Sequence, residues 1–327
     1  MIKVKISTDF PYEPILRQTP GSSGIWGQCR FFVNQPVDEC DYWVVFNGVL
    51  QSESTLCPPQ NTILVTAEPP DIRGYDAAFI RQFGTLMTFH RNLPHPRIIY
   101  THPALNWHVG RIITSVENRE SIITRTYDDF KAQQHFDKKR LISVISSDKT
   151  FTSGHRRRLD FVRALQSHFG DQIAVYGKGI NEVADKWDAI ADFKYHVAIE
   201  NSYLSHYWTE KLGDAYLAGA YPIYYGCPNL EQYFPAGSFS RIDINNPGQA
   251  IQTIERCINS GQYEASLPKI NQARQRVLDE YNMFAMIANH VQRKGPRKIT
   301  IRAGQPVSSV VYRVPGAAQK RRVTIRP

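Results

Sequence analysis

The stretch 196–226, HVAIENSYLSHYWTEKLGDAYLAGAYPIYYG, gathers two carboxylates, an amide, a hydroxyl and an ammonium: Glu200, Glu210, Asn201, Thr209 and Lys211. Such a set can hold a polyol and a phosphate together. Carboxylates and amides pair with sugar hydroxyls, and an ammonium balances phosphate charge. The elements that must position these groups read as strand, loop, helix, strand. His196 to Ile199 is a short apolar run ending at Glu200-Asn201-Ser202. Thr209 suits a helix N-cap, with Glu210 in the first turn, where the dipole favours a carboxylate. Leu212, Ala215, Tyr216 and Gly219 recur at helical spacing, so one face packs on a sheet. Tyr221 to Tyr225 is a second strand, closing at Gly226. Strand, crossover helix and parallel strand make a right-handed unit, with ligands beyond the carboxyl ends of its strands. The polar residues fall there, where backbone N–H groups and the dipole favour phosphate. Taken alone, Thr209-Glu210 is an ordinary capped helix start.

Three further places hold candidate chemistry. Glu68 directly follows an apolar strand, Asn61 to Thr66, and precedes Pro69-Pro70. The prolines stiffen the backbone and push Glu68 towards an extended conformation. A carboxylate held at a sheet edge suits a general base; the plainer reading is a solvated loop glutamate. The run THR152-SER153 to Leu165 reads as a helix with His155, Arg156, Arg157 and Arg158 in its first turns. Cations there oppose the helix dipole, and a bound anion would relieve the conflict. Ile173 to Tyr176 is a strand running into Gly177-Lys178-Gly179, a tight loop that is neither a P-loop nor a GxGxxG motif. His90, His95, His102 and His108 lack metal-ligand spacing, so packing or sugar contact, with Tyr100 and Trp107 as stacking rings, is the expectation. No D-x-D triplet occurs in the chain.

The totals narrow the class. A chain of 327 residues with 42% hydrophobic content supports about two domains. The net charge of +9 lies in the tail: beyond Gln292 there are ten lysines and arginines and no acidic residue. The rest is near neutral, which argues against a general nucleic-acid-binding field. Five scattered cysteines without a CxxC pair fit a reducing compartment. Neither a signal peptide nor a membrane-length apolar run is present. The expected location is therefore cytoplasmic.

Strands are expected at Ile2 to Ile6, Asp41 to Phe46, Asn61 to Thr66, Thr85 to Phe89 and Leu141 to Ile145, with Pro11 to Gly27 as loop. Their spacing leaves room for helices and favours parallel α/β sheets. Arg111 to Lys139 is polar and reads as the exposed connection. The expected division is 1–137, 138–292 and a basic tail, 293–327. Trp187 and Phe193 read as helix-packing residues, Ile270 to Ile287 has helical periodicity that would close the domain, and a last helix is expected to cross back to the first domain.

Glu-Asn-Ser, Thr-Glu-Lys and Ala-Gly-Ala-x-Pro-Ile-Tyr-Tyr-Gly together resemble the donor-binding signature of glycosyltransferase family ten, the α-1,3/α-1,4-fucosyltransferases. Weaker likeness runs through the carboxyl-terminal half. The resemblance implies a GT-B arrangement, two Rossmann-like α/β domains with an interdomain cleft: an acceptor-side domain first and a nucleotide-sugar donor domain second. It implies GDP-fucose as co-substrate and inversion at the anomeric carbon; the missing D-x-D triplet, with a lysine, an arginine and a helix N-terminus available instead, suggests charge neutralisation with no metal or other cofactor. It implies Glu68 as the base, and a donor site formed by Arg158, Gly177, Glu200, Asn201, Tyr207, Thr209, Glu210 and Lys211. Arg158 and Lys211 would take the diphosphate, with Arg157 as the alternative to Arg158. The implied acceptor is a GlcNAc or Glc hydroxyl of an oligosaccharide or glycolipid, of unspecified linkage. Animal and plant relatives carry an amino-terminal anchor, so the chain looks like a bacterial type. Its basic tail suits an anionic membrane surface. Two rivals remain: a GT-B transferase for another nucleotide sugar, and a non-catalytic glycan- or nucleotide-binding relative.

Overall fold

A computed structural model describes residues 1–10, 15–104, 106–115, 120–146, 153–294 and 309–312. Contacts divide the chain into two units. One comprises Met1–Phe10, Gly27–Thr101 and His290–Pro327, the other Pro11–Trp26 and His102–Asn289.

The first unit holds a parallel sheet of β1 (Ile2–Thr8), β2 (Cys29–Val33), β3 (Tyr42–Phe46), β4 (Thr62–Val65), β5 (Thr85–Thr88) and β6 (Ile98–Tyr100). These strands bond in the order β2-β1-β3-β4-β5-β6. Every residue of β3, β4 and β5 is buried, as expected of parallel strands covered on both faces. The chain leaves β1 towards β2 and leaves β3 towards β4, so the topological switch lies between β1 and β3. Ser309–Tyr312, within the expected tail, pairs antiparallel with Glu53–Leu56. The rest of the tail beyond Lys294 lies outside the described residues, as does Thr152. The five cysteines are free and buried.

The second unit repeats the plan. Its parallel sheet comprises β7 (Arg140–Ile145), β8 (Ile173–Tyr176), β9 (Phe193–Ile199), β10 (Tyr221–Tyr225) and β11 (Ser240–Arg241), in the order β8-β7-β9-β10-β11. The switch lies between β7 and β9. Helices α1 (Ser153–Phe169), α2 (Glu210–Leu217), α3 (Pro247–Asn259) and α4 (Gln262–Asp279) cover the sheet. Phe193 begins β9 rather than packing from a helix. The expected stretch from Ile270 to Ile287 is two helices, broken between Asp279 and Met283. The second of these ends at Lys294, and its residues from His290 group with the first unit. Among the described residues no helix is long and apolar enough to cross a membrane.

The division differs from the boundary expected at 137/138. The segment expected as an exposed connection, Arg111 to Lys139, instead holds a hairpin, Arg111–Ser115 with Glu120–Ile123, and a helix, Tyr127–Ala132. Phe130 is fully buried against Trp107. The segment Pro11–Trp26 joins the same unit through Arg17. Its buried guanidinium donates to the carbonyls of Trp107 (2.6 Å), Val109 (3.0 Å) and Arg125 (2.9 Å). Burial lowers its pKa to about 10, so it stays charged at neutral pH. A planar fork serves several acceptors at once; a lysine cannot match it. Arg17→Met should therefore cost on the order of 3–5 kcal/mol, by leaving buried carbonyls unsatisfied. Arg17→Lys should recover only part of it, as read by urea unfolding followed through tryptophan fluorescence.

Candidate functional site

At the switch point of the second sheet, beyond the ends of β7, β8 and β9, lies a cavity of about 440 Å³. Arg158, Gly177, Lys186, Lys211, Asp214 and His108 are among its lining residues. Three of the expected donor residues, Arg158, Gly177 and Lys211, thus meet on one cavity. The others build the turn behind it.

That turn joins β9 to α2. Glu200, 1% exposed, accepts the Thr209 backbone N–H at 2.8 Å and the Thr209 hydroxyl at 2.7 Å. Each oxygen thus takes one hydrogen bond from Thr209, and Glu200 holds the loop. Thr209 caps α2 as expected. The Lys211 ammonium lies 2.9 Å from Glu210 and 3.7 Å from Glu200. Burial alone would lower the Lys211 pKa, but the two carboxylates outweigh it and hold it above the ordinary lysine value. Burial likewise pushes the Glu210 carboxyl up, and Lys211 overrides it and holds the group well below its usual range. Asn201 accepts from the Arg158 guanidinium at 2.6 Å, which ties α1 to the turn. Tyr207 is buried beside it.

Gly177 must be glycine. Its φ is +137°, and a Cβ there would stand 1.8 Å from the Ser146 carbonyl. Gly226 is constrained in the same way: a Cβ would meet Glu200 Cγ at 2.4 Å. The neighbouring arginines part company. Arg158 is buried and lines the switch-point cavity, while Arg157 is exposed and lines a separate one.

Three residues enter the site without having been singled out for it. Lys186 Nζ donates to His108 Nδ1 at 2.9 Å. The Asp214 carboxylate accepts the His108 backbone N–H at 3.0 Å. Burial, and then Lys186, depress the His108 pKa far below its ordinary value, so the ring is neutral. Asp214 follows Glu210 by one helical turn, and that polar pair on an otherwise apolar helix was the signal available for it. Lys186 and His108 carry no local signal; the tertiary fold brings them in.

Glu68 stands in the first unit, just beyond β4, as expected. It is half-buried. Its carbonyl accepts from His90 Nε2 at 2.8 Å, and the preceding Ala67 N–H reaches the Tyr75 hydroxyl. Tyr75 in turn donates to Asn47, which donates to Asp9 at the β1/β3 switch. The backbone at Glu68 is therefore fixed from both sides. The other histidines have structural roles: His95 bonds the Phe83 carbonyl and His102 stacks on Trp208 at 4.4 Å. Trp107 is 2% exposed, in the core, and cannot stack on a sugar; Tyr100 is exposed.

Two doubly wound parallel sheets define a GT-B glycosyltransferase fold. A crystal structure of an α1,3-fucosyltransferase shares it, with a TM-score of 0.50 at 16% identity over 86% of this chain and 91% of that one. Residues 135–258 match the family described as glycosyltransferase family 10 (fucosyltransferase) C-term. The Bos taurus 4-galactosyl-N-acetylglucosaminide 3-alpha-L-fucosyltransferase 9 is 39% identical over 84 residues, 24% of this chain and 23% of that protein. The Helicobacter pylori Alpha-(1,3)-fucosyltransferase FucT is 34% identical over 74 residues, 22% of this chain and 16% of that protein. The chain therefore matches less than a quarter of the length of these relatives.

Burial raises the Asp214 carboxyl to about 7 from an ordinary 3.8. The folded protein thus keeps a proton there that the unfolded chain gives up. This contribution makes stability fall as pH rises between about 4 and 7. Asp214→Asn should flatten the fall across that window in urea titrations run at stepped pH.

Proposed function

We propose that this protein is an inverting fucosyltransferase. It moves L-fucose from GDP-fucose to a glycan hydroxyl, that of GlcNAc or Glc in a surface oligosaccharide or glycolipid. The observation that carries the reading is the convergence of Arg158 and Lys211 on one switch-point cavity within the segment that matches the family.

Glu68 takes the proton of the acceptor hydroxyl. The freed oxygen attacks the anomeric carbon of fucose from the face opposite the diphosphate. The bond from that carbon to the β-phosphate oxygen breaks, and GDP leaves. Arg158 and Lys211 take up the charge that develops on the diphosphate. Electrostatics of this kind act most strongly where water is excluded. Lys211 is held ready by Glu210 and Glu200, so it need not be ordered when the donor arrives. These cations stand where a metal ion would otherwise balance charge, and the proposed reaction uses no metal. Glu210 and Asn201 orient ribose or fucose hydroxyls. Attachment to the inner face of a membrane through the basic tail belongs to the same reading; ten cations in residues 293–327 support it, at about 1 kcal/mol each near an anionic surface.

Two measurements test this. Glu68→Ala should lower kcat about 10²–10⁴-fold with GDP affinity unchanged; equal losses in both would remove Glu68 as the base. Calorimetric titration should show GDP-fucose binding preferred over GDP-mannose and UDP-galactose, insensitive to EDTA and lost in Lys211→Ala. Preference for another nucleotide sugar would overturn the fucosyl assignment, and no binding of any would leave a non-catalytic protein.

A further inference from the structure

A second cavity, of about 600 Å³, opens at the carboxyl edge of the same sheet, beyond β10 and β11. Arg157, rather than Arg158, points to it, and Tyr203, Tyr225, Asn245 and Gln249 share its lining. Tyr203 is 58% exposed, an unusual place for so large a ring. It lies 5.7 Å from the Tyr225 ring, tilted by 39°, so the two form a stepped aromatic wall. Opposite them, Gln249, Ala250 and Thr253 come from one face of α3.

The polar groups of this cavity are ordered and balanced in charge. Arg241 is clamped by Glu231 at 2.5 Å and donates to the carbonyls of Cys227 and Pro228, so its charge is matched. Asp243 accepts from the Asn245 backbone and side chain at 2.9 and 2.8 Å. The Thr253 hydroxyl is taken by the Gln249 carbonyl and by Arg256, so what remains to meet a ligand is an aromatic wall, the side-chain oxygen of Asn245, the side-chain NH2 of Gln249 and the exposed Arg157. A pyranose ring presents the complement: C–H faces for the aromatic rings, and equatorial hydroxyls that both donate and accept for amides and a guanidinium. A phosphate would find one cation here, Arg157, because Arg241 is already matched by a carboxylate, whereas the aromatic wall offers a face to a ring. Gly226 lines this cavity and backs directly onto Glu200, the residue that holds the donor-side turn. The two cavities are thus separated by that turn.

We propose that the second cavity is a carbohydrate subsite that takes a neutral pyranose of the glycan acceptor, stacked on Tyr203 and bonded by Asn245 and Gln249. The proposal rests on the glycosyltransferase reading above for the nature of the saccharide as acceptor, and names a subsite for it distinct from the donor cavity.

The test is titration of the full-length protein with lactose and with N-acetyllactosamine, by calorimetry and saturation-transfer NMR, in wild type, Tyr203→Ala, Tyr203→Phe and Gln249→Ala. GDP is titrated separately into each as the control for folding and for the donor cavity. The expected result is saccharide binding that weakens about tenfold in Tyr203→Ala, weakens in Gln249→Ala, and survives in Tyr203→Phe, with GDP affinity unchanged throughout. Saccharide affinity equal in wild type and Tyr203→Ala overturns the proposal, as does no saccharide binding to the wild type. Inorganic phosphate that displaces the saccharide, with the effect lost in Arg157→Ala, also overturns it and makes the cavity an anion site. Failure of GDP to bind while saccharide binding persists would instead defeat the donor reading and leave this cavity's carbohydrate binding standing.

Discussion

A single buried carboxylate, Glu200, sets the geometry on which the candidate donor site depends. An ionised carboxylate removed from water costs several kcal/mol unless its lone pairs are satisfied. Here both oxygens are satisfied by one residue, Thr209, through its backbone and its hydroxyl. That double bond fixes where α2 begins and therefore where Lys211 emerges. It also dictates Gly226 on the neighbouring strand, since no side chain fits against Glu200 there. The backbone N–H of Glu200 itself bonds the Tyr225 carbonyl at 2.9 Å, which ties the turn to β10. Three separate pieces of chain thus converge on one carboxyl group.

Charge is balanced in layers around it. Glu200 and Glu210 face one lysine from two sides. Asp214 lies one turn along α2 and is held by the His108 backbone N–H. Lys186 and Arg158 add cations to the cavity wall. A diphosphate entering such a site would meet cations already ordered by carboxylates, and this limits the reorganisation that charge transfer demands. Glu68 in the other unit is held differently. Its main chain is fixed by His90 and by the Tyr75–Asn47–Asp9 chain of hydrogen bonds. Rigidity there comes at least in part from the backbone.

What was legible in the sequence follows from how local each signal is. The strand–helix–strand at 196–226, the Thr209 cap and the buried runs of β3 and β10 depend on neighbours within a few residues, and each is found where it was read. The glutamate after β4 was placed by its strand and its prolines. Long-range pairing was not legible. Nothing near Arg17 announces the carbonyls of Trp107 and Arg125, so Pro11 to Gly27 read as loop and Arg111 to Lys139 as the connection. Trp107 read as either a packing or a sugar-stacking ring, because an aromatic in a Pro-rich run gives no sign of whether it faces solvent, and it packs in the core. The choice between Arg157 and Arg158 turned on one step of helical rotation, about 100°, and only packing separates their directions.

The Arg17 interaction also bears on the order of events during synthesis. Arg17 leaves the ribosome long before Trp107, Val109 and Arg125, its partners at sequence separations of 90, 92 and 108. Until they emerge, the second unit lacks its first piece of chain, whereas β1 to β6 of the first unit are complete by Tyr100. Contacts of such separation are formed late because loop closure must precede them. A nascent chain would therefore carry a folded sheet with an unanchored segment inserted between β1 and β2, and the second unit would close only after its own hairpin had formed. The segment around Arg17 in this sense waits for partners about a hundred residues downstream.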